Sequence, residues 1–183
     1  YGGSGYSYDA YSNQAFADSG YSNRAQWQRD QVTELVRMVR AAVNEYKPYL
    51  WIGADVWQDY GSWYNGVFQE SRAWTAENLI DYIQIMGYTT NDGSFRNGVD
   101  SYVDHKDDNL VNAGPYAFVP GNNAHGRVNN ETEGINHLID QIEIAREEGA
   151  DGISIFKYEF LQTHPTYGWA LMLNPYAQYA ARP

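Results

Sequence analysis

The chain has 183 residues, no cysteine and a formal net charge of -11 at pH 7. The absence of cysteine excludes disulfide bonds, thiolate metal ligands and a cysteine nucleophile, and the negative charge disfavours binding to nucleic acid or to anionic membrane surfaces. Seventeen tyrosines and six tryptophans supply many amphipathic rings, which either stack on the apolar faces of sugars or pack in the core and at its rim.

The first third of the chain predicts a loop, a helix and a strand. Residues 1–22 are rich in Gly, Ser, Tyr and Asn without a sustained period, which favours a loop lying over a site rather than a disordered leader. Apolar residues recur at helical spacing over 23–47, and Pro48 ends that helix. Residues 49–56 predict a short strand ending near Asp55, followed by a loop dense in rings and amides.

The remaining elements alternate in the same way. In chain order, the pattern predicts a helix at 72–78, a strand at 79–88, a turn at 89–93, a helix at 99–105, a strand at 110–114, an exit loop at 115–128, a helix at 131–148 with Gly149 at its end, a strand at 149–158, and a loop with a final helix over 163–183.

One pattern, Asp-x-Ile-x-Ile-x-x-Tyr, occurs twice, at 81–88 and at 151–158. β-Branched residues at alternate positions are typical of parallel strands buried against helices. We therefore expect Ile83 and Ile85, like their counterparts in the second copy, to face a helical layer. The opposite row contains Gln84, Met86 and Tyr88 in the first copy, and its mixture of polar and aromatic groups suits the inside of a barrel.

Four parallel strands alternating with helices form either half a barrel or a small doubly wound sheet. The glycine-rich phosphate-binding loops of nucleotide sites are absent from the sequence, which disfavours the second option. A complete (β/α)8 TIM barrel usually needs about 250 residues. We therefore predict an α/β chain forming a single unit, 1–183, made of about four βα units of a partial TIM barrel.

Four stretches carry a family resemblance. They read Gln-Arg-Asp-Gln-Val at 28–32, Gly-Ala-Asp-Val-Trp at 53–57, Leu-Ile-Asp-Tyr-Ile-Gln-Ile-Met-Gly-Tyr at 79–88 and Asp-Gly-Ile-Ser-Ile-Phe-Lys-Tyr at 151–158. With them the chain resembles the C-terminal half of the family 10-like glycosyl hydrolase barrels, a bacterial group of sugar-cleaving TIM barrels. The resemblance implies that this chain begins after the fourth strand, and that the N-terminal half of the barrel and one carboxylate come from a missing segment or a partner chain.

The function implied by the resemblance is cleavage of the O-glycosidic bonds of a polysaccharide or oligosaccharide. Such hydrolysis generally needs two carboxyl groups, about 5 Å apart in retaining enzymes and about 6.5–9.5 Å apart in inverting ones. Asp55 and Glu159 lie at the carboxyl ends of predicted strands, where barrel enzymes hold their catalytic groups, and are the predicted acid and base. A rim carboxylate at Asp55 and an ion pair at Glu159 are the structural alternatives. Asp81 and Asp151 lie at strand starts and are assigned to structure.

Aromatic and amide side chains near the same strand ends predict a sugar-binding cleft. The predicted substrate-binding residues are Trp57, Asp59, Trp63, Tyr88, Asn91, Tyr116, Asn123 and Tyr158. The acidic surface favours a cationic glycan, such as a partly deacetylated one. A non-catalytic glycan-binding or extracellular structural and assembly module on the same fold remains the alternative.

The sequence suggests neither a metal site nor a cofactor. The four histidines show no His-x-x-x-His or His-Glu-x-x-His spacing, so we expect no metal and no cofactor. No apolar run approaches the roughly 20 residues that span a bilayer, and residue 1 begins no signal peptide. We expect a soluble, secreted or cell-envelope protein, processed or incomplete, without nucleic-acid partners.

Overall fold

The computed structural model describes residues 7–104, 117–122 and 131–157, and for residues 62, 63, 117–122 and 131 it describes the backbone alone. One or two helices precede each strand in this part of the chain. The helices are α1 (Ala10–Asp18), α2 (Arg24–Tyr46), α3 (Tyr60–Gly66), α4 (Ser71–Ala76), α5 (Asp92–Val103) and α6 (Glu131–Glu147). The strands are β1 (Gly53–Trp57), β2 (Tyr82–Gly87), β3 (Ala117–Asn122) and β4 (Ser154–Ile155).

The strands form one parallel sheet in the order β1-β2-β3-β4. The register pairs Asp55 with Gln84 between β1 and β2, and Gly121 with Ser154 between β3 and β4. Each new strand joins the same growing edge of the sheet, and helices occupy the connections. The predicted α/β class and its parallel strands are confirmed.

The long helix α2 follows from its cap and its apolar spacing. The Asn23 side chain accepts a hydrogen bond from the Gln26 backbone N–H at 3.1 Å, which satisfies one of the free donors at the helix start. Val32 and Val36, one turn apart, pack against the core, and the helix ends two residues before Pro48. The helix predicted over 23–47 is confirmed.

The first copy of the repeated pattern forms the centre of the core. Burial alternates along β2, with Ile83 1% and Ile85 0% exposed. These two side chains pack with buried residues of β1, α4, α5 and the segment before β2, namely Val56, Trp74, Leu79, Ile80 and Tyr102. The predicted helix-facing row of this strand is confirmed.

A second part of the core lies between α5 and α6. Phe95 and Val99 from α5 pack against Ile144 and Ala145 from α6. Gly149 follows α6 with φ of 80°, the left-handed conformation that lets the chain leave a helix without a steric penalty. The helix predicted over 131–148 and its glycine terminus are confirmed.

Two predicted loops contain helices instead. Within residues 1–22, α1 begins after Asp9, whose carboxylate accepts from the Ser12 N–H at 2.9 Å and from the Ser12 hydroxyl at 2.8 Å. None of the residues of α1 is buried, so no apolar stripe marks it in the sequence. Helix α3, within the ring-rich loop after β1, also lacks an aliphatic stripe. Because neither α1 nor α3 shows apolar residues at helical spacing, the sequence did not predict them.

Other boundaries also differ from the prediction. β1 begins at Gly53 rather than at residue 49, and α5 begins at Asp92 rather than near residue 99. The segment 117–122, predicted as part of an exit loop, is the inner strand β3. It contains Pro and Gly, which are uncommon inside strands, and the composition of the segment therefore did not indicate a strand. The strand predicted at 110–114 and the final helix over 163–183 lie outside the described residues.

The amino-terminal end of β2 is anchored by Asp81. Its carboxylate accepts from the Ile52 backbone N–H at 2.6 Å and from the Arg40 guanidinium at 2.7 Å. Arg40 also donates to the Leu79 carbonyl at 2.9 Å. Asp81 therefore joins α2 to the entrances of β1 and β2, which agrees with the structural role assigned to it.

Candidate functional site

One face of the sheet is covered by helices, and the opposite one is named here the open face. The open face is formed on the described strands and just beyond them by residues that include Asp55, Trp57, Tyr82, Gln84, Met86, Tyr88, Ser154 and Phe156. Because side chains alternate along a strand and paired residues project to the same side, these groups lie opposite the buried Ile83 and Ile85. Asp55 is exposed, and Trp57, Gln84, Met86 and Tyr88 are half-buried.

A side-chain hydrogen bond crosses the open face. The Gln84 amide nitrogen on β2 donates to the Ser154 hydroxyl oxygen on β4 at 2.8 Å. The intervening strand β3 carries Gly121 in register with Ser154. This bond connects the two copies of the repeated pattern and holds their polar rows together.

Two aromatic rings meet at the carboxyl ends of β2 and β4. The Tyr88 and Phe156 ring centroids lie 5.2 Å apart with an angle of 35° between the planes. Phe156 remains 43% exposed, so the pair presents apolar ring surface to solvent. A sugar ring packs its C–H face on such a surface. Phe156 was not among the predicted site residues, although its alternation with Ser154 placed it on the correct row.

Asp55 and Tyr88 interact electrostatically on the open face. Burial raises the pKa of the Tyr88 phenol above its usual value, and the negative charge of Asp55 raises this pKa further. The Tyr88 hydroxyl is therefore protonated at neutral pH and is able to donate a hydrogen bond. The structure thus places two of the predicted site residues, a carboxylate and a phenol, on the same face of neighbouring strands and within electrostatic range of each other.

Asp59 lines a separate polar cleft between the exit of β1 and helix α5. The cleft has a volume of about 420 Å³ and is formed with Gln58, Ser94, Asn97 and Gly98. The Gln58 amide donates to the Ser94 carbonyl. A Cβ atom at Gly98 would lie 2.2 Å from the Cγ atom of Gln58, so this close approach requires glycine.

Asn91 caps α5 at the end of the turn that follows Tyr88. Its side-chain oxygen accepts from the Ser94 backbone N–H at 2.8 Å. The buried Gln141 of α6 donates from its amide nitrogen to the Thr89 carbonyl at 2.9 Å and to the Asp92 carboxylate at 3.2 Å. Helix α6 therefore holds the turn that leads from the candidate site to α5.

An ion pair between the buried Arg29 and the half-buried Glu70, which the sequence does not indicate, lies beside the exit of β1. The Arg29 side chain is 3.4 Å from the Glu70 carboxylate, which also accepts from the Tyr64 hydroxyl at 3.0 Å. The guanidinium stacks 4.2 Å from the centre of the Tyr64 ring and donates to the Asn65 side-chain oxygen at 2.8 Å. This cluster ties the first turns of α2 to α3 and to Glu70, directly before α4.

Several predicted site residues lie outside the described part of the chain or have a side chain outside it. Tyr116, Asn123, Tyr158 and Glu159 lie outside the described residues, so their roles stay predictions. The backbone of Trp63 lies in α3, but its side chain is not described. Of the two predicted catalytic carboxylates, Asp55 is therefore described and Glu159 is not.

The described residues contain neither a metal-ligand cluster nor a membrane-spanning helix. Within residues 7–104, 117–122 and 131–157, no group of three or more His, Asp or Glu side chains is arranged to hold a metal ion. In the same part of the chain, no helix has the length and apolar character needed to cross a bilayer.

Comparison with known proteins identifies the family. A comparison with curated proteins gave no match. The family model described as glycosyl hydrolase-like 10 matches residues 4–147, which is most of the chain and includes α1 through β3 and all of α6. The chain therefore belongs to the glycosyl hydrolase-like 10 family.

Proposed function

We propose that this domain binds a polysaccharide across the open face and hydrolyses its O-glycosidic bonds with two carboxyl groups, Asp55 and Glu159. The position of Asp55 carries this proposal. Its exposed side chain lies on the open face, near the carboxyl end of β1, and its negative charge acts on the Tyr88 phenol. Family membership supports the reaction class, because the family is described as glycosyl hydrolase-like.

The four strands are proposed to be consecutive strands of a (β/α)8 barrel, with residues 1–183 acting as a single unit. The support is the strand order, β1-β2-β3-β4, with all pairs parallel. A doubly wound sheet reverses its strand order at a switch point, and no reversal occurs among the four described strands. In a barrel, the open face becomes the interior, and its carboxyl end becomes the site.

The remaining strands are proposed to come from another segment or a partner chain that joins β1. Helix α2 presents an apolar stripe on the side not used for the core, with Leu35 60%, Met38 62% and Val39 43% exposed. Tyr46, the last residue of α2, is 75% exposed, and Trp51, just before β1, is 62% exposed. A neighbouring βα unit would cover the stripe with its helix and extend the sheet with its strand.

In the proposed reaction, one carboxyl group protonates the leaving oxygen while the other acts as nucleophile or activates water. The Tyr88–Phe156 pair stacks against a sugar ring beside the scissile bond, and the Tyr88 hydroxyl donates to a sugar oxygen. The net charge of -11 favours a cationic glycan, such as partly deacetylated chitin, over an anionic one. Asp55 thus acts on a sugar held by rings at the ends of β2 and β4.

A glycan-binding module without hydrolytic activity is the second candidate function. Among the residues of the four described strands, Asp55 is the one carboxylate on the open face. If Glu159 does not complete a pair with it, the rings at Tyr88 and Phe156 still provide a binding platform. This alternative makes the same contacts with the sugar and leaves the bond intact.

The direct test is release of reducing ends from defined oligosaccharides by the protein together with the segment or partner chain that joins β1. Partly deacetylated chitooligosaccharides are the main probe, and cello-oligosaccharides and an anionic glycan are the comparisons. We expect the cationic probe to be cleaved fastest. Binding of this probe without release of reducing ends would overturn hydrolysis in favour of the binding module, and neither binding nor cleavage of any probe would contradict both.

A further inference from the structure

Gln69 makes an unusual contact with the backbone of β1. The Trp57 backbone N–H donates to the Gln69 side-chain oxygen at 3.2 Å, and the Gln69 amide nitrogen donates to the Asp55 carbonyl at 3.1 Å. β2 pairs with the other side of β1. The side chain of Gln69 therefore hydrogen-bonds along the edge of β1 that no described strand occupies.

A glutamine amide is chemically suited to this position. It carries an N–H donor and a carbonyl acceptor, the same groups that a peptide unit of a neighbouring strand would present. The edge of a sheet otherwise leaves a row of backbone donors and acceptors unpaired. Gln69 therefore pairs the backbone carbonyl of Asp55, the candidate carboxylate, and the backbone N–H of Trp57, the neighbouring tryptophan.

The surrounding chain holds Gln69 in place. Phe68, directly before Gln69, has φ of 60°, the left-handed conformation that is uncommon for a residue other than glycine. Glu70, directly after it, is anchored by Arg29 at 3.4 Å and by the Tyr64 hydroxyl at 3.0 Å. Because both neighbours are constrained, the amide is directed onto β1 rather than into solvent.

We propose that Gln69 is a positioning residue that takes the place of a neighbouring strand at the carboxyl end of β1 and thereby fixes the backbone beneath Asp55 and Trp57. A strand that joins this edge then pairs with β1 at Gly53, below the segment that Gln69 occupies. Any effect of Gln69 on catalysis rests on the proposed function of Asp55. The hydrogen bonds of Gln69 with β1 do not depend on that function.

The test is amide hydrogen exchange and carbonyl chemical shifts in the full chain labelled with ¹⁵N and ¹³C. Gln69→Leu keeps the size of the side chain and removes both hydrogen bonds, so the Trp57 amide is expected to exchange about tenfold faster. Gln69→Glu retains an acceptor for Trp57 but no donor for Asp55. Of the two variants, we therefore expect only Gln69→Glu to keep the slow amide exchange of Trp57. We expect the Asp55 carbonyl resonance to shift in both.

Gln14→Leu, at an exposed glutamine on α1, is the matched control and is expected to change neither signal. Unchanged Trp57 exchange in Gln69→Leu would overturn the proposal, because a strand or another group would then cover this edge. Equally fast exchange in both Gln69 variants would also overturn it. No substrate is needed, so these results stand apart from whether the protein hydrolyses a glycan.

Discussion

Replacing Asp55 with Asn is expected to slow glycan cleavage by a factor of about 100 to 10,000, which is the usual contribution of a positioned acid or base. The substitution keeps the size of the side chain and removes its charge and its proton-transfer capacity. Because Asp55 is exposed on the open face and makes no contact in the helical core, the fold is expected to survive. The measurement is kcat and KM for the chitooligosaccharide that the unmodified chain cleaves best.

Two controls separate a chemical role from a general disturbance. Asp140→Asn, at an exposed position on α6, is expected to leave the rate unchanged. In Asp55→Asn, the pKa of Tyr88 is expected to fall, because the carboxylate that raises it is gone, yet to remain above the usual tyrosine value because burial, the larger cause, persists. An unchanged cleavage rate in Asp55→Asn, or a Tyr88 pKa that does not move, would contradict the assigned role or position of Asp55.

Replacing Phe95 with Ala is expected to lower the free energy of unfolding by about 3–5 kcal/mol, the usual cost of truncating a buried phenylalanine. Phe95 is fully buried and packs with Val99 on its own helix and with Ile144 and Ala145 on α6. The cavity would therefore open between the two helices that cover this end of the sheet. Urea unfolding, followed by circular dichroism, measures the change.

Phe156→Ala is the matched comparison, because the same side chain is removed from a position that is 43% exposed on the open face. Its cost is expected to be smaller, about 1–2 kcal/mol, since 43% of the lost surface was already in contact with water. Similar losses for the two variants would contradict the placement of Phe95 in the core and of Phe156 on the open face.

The sequence predicted the elements whose side chains alternate between two distinct environments. Ile83 and Ile85 on β2, and Val32 and Val36 on α2, recur at strand and helix spacing because one side of each element is buried. Helix α1 was not predicted, because none of its residues is buried and because its cap, Asp9, is a residue type common in turns. β3 escaped because Pro120 interrupts the usual strand composition, although the strand pairs on both sides.

The candidate site was predictable only in part. Asp55 and Tyr88 follow from the rule that functional groups gather at the carboxyl ends of parallel strands. Gln69 bonds to β1 although it lies outside any repeating pattern. Gln84 bonds to Ser154 although the two residues are distant in the sequence. Such contacts depend on strand register and on turn geometry, which local composition does not specify.

The central claim is that a glycan binds on the open face at the ends of β1, β2 and β4. The most direct measurement is a titration of the labelled full chain with partly deacetylated chitooligosaccharide, followed by NMR of assigned side chains. We predict that the resonances of Trp57, Tyr88 and Phe156 shift together and saturate at one ligand concentration, while those of Val99 in the helical layer stay unchanged. Saturable shifts confined to the helical layer, with these three rings unaffected, would contradict the account.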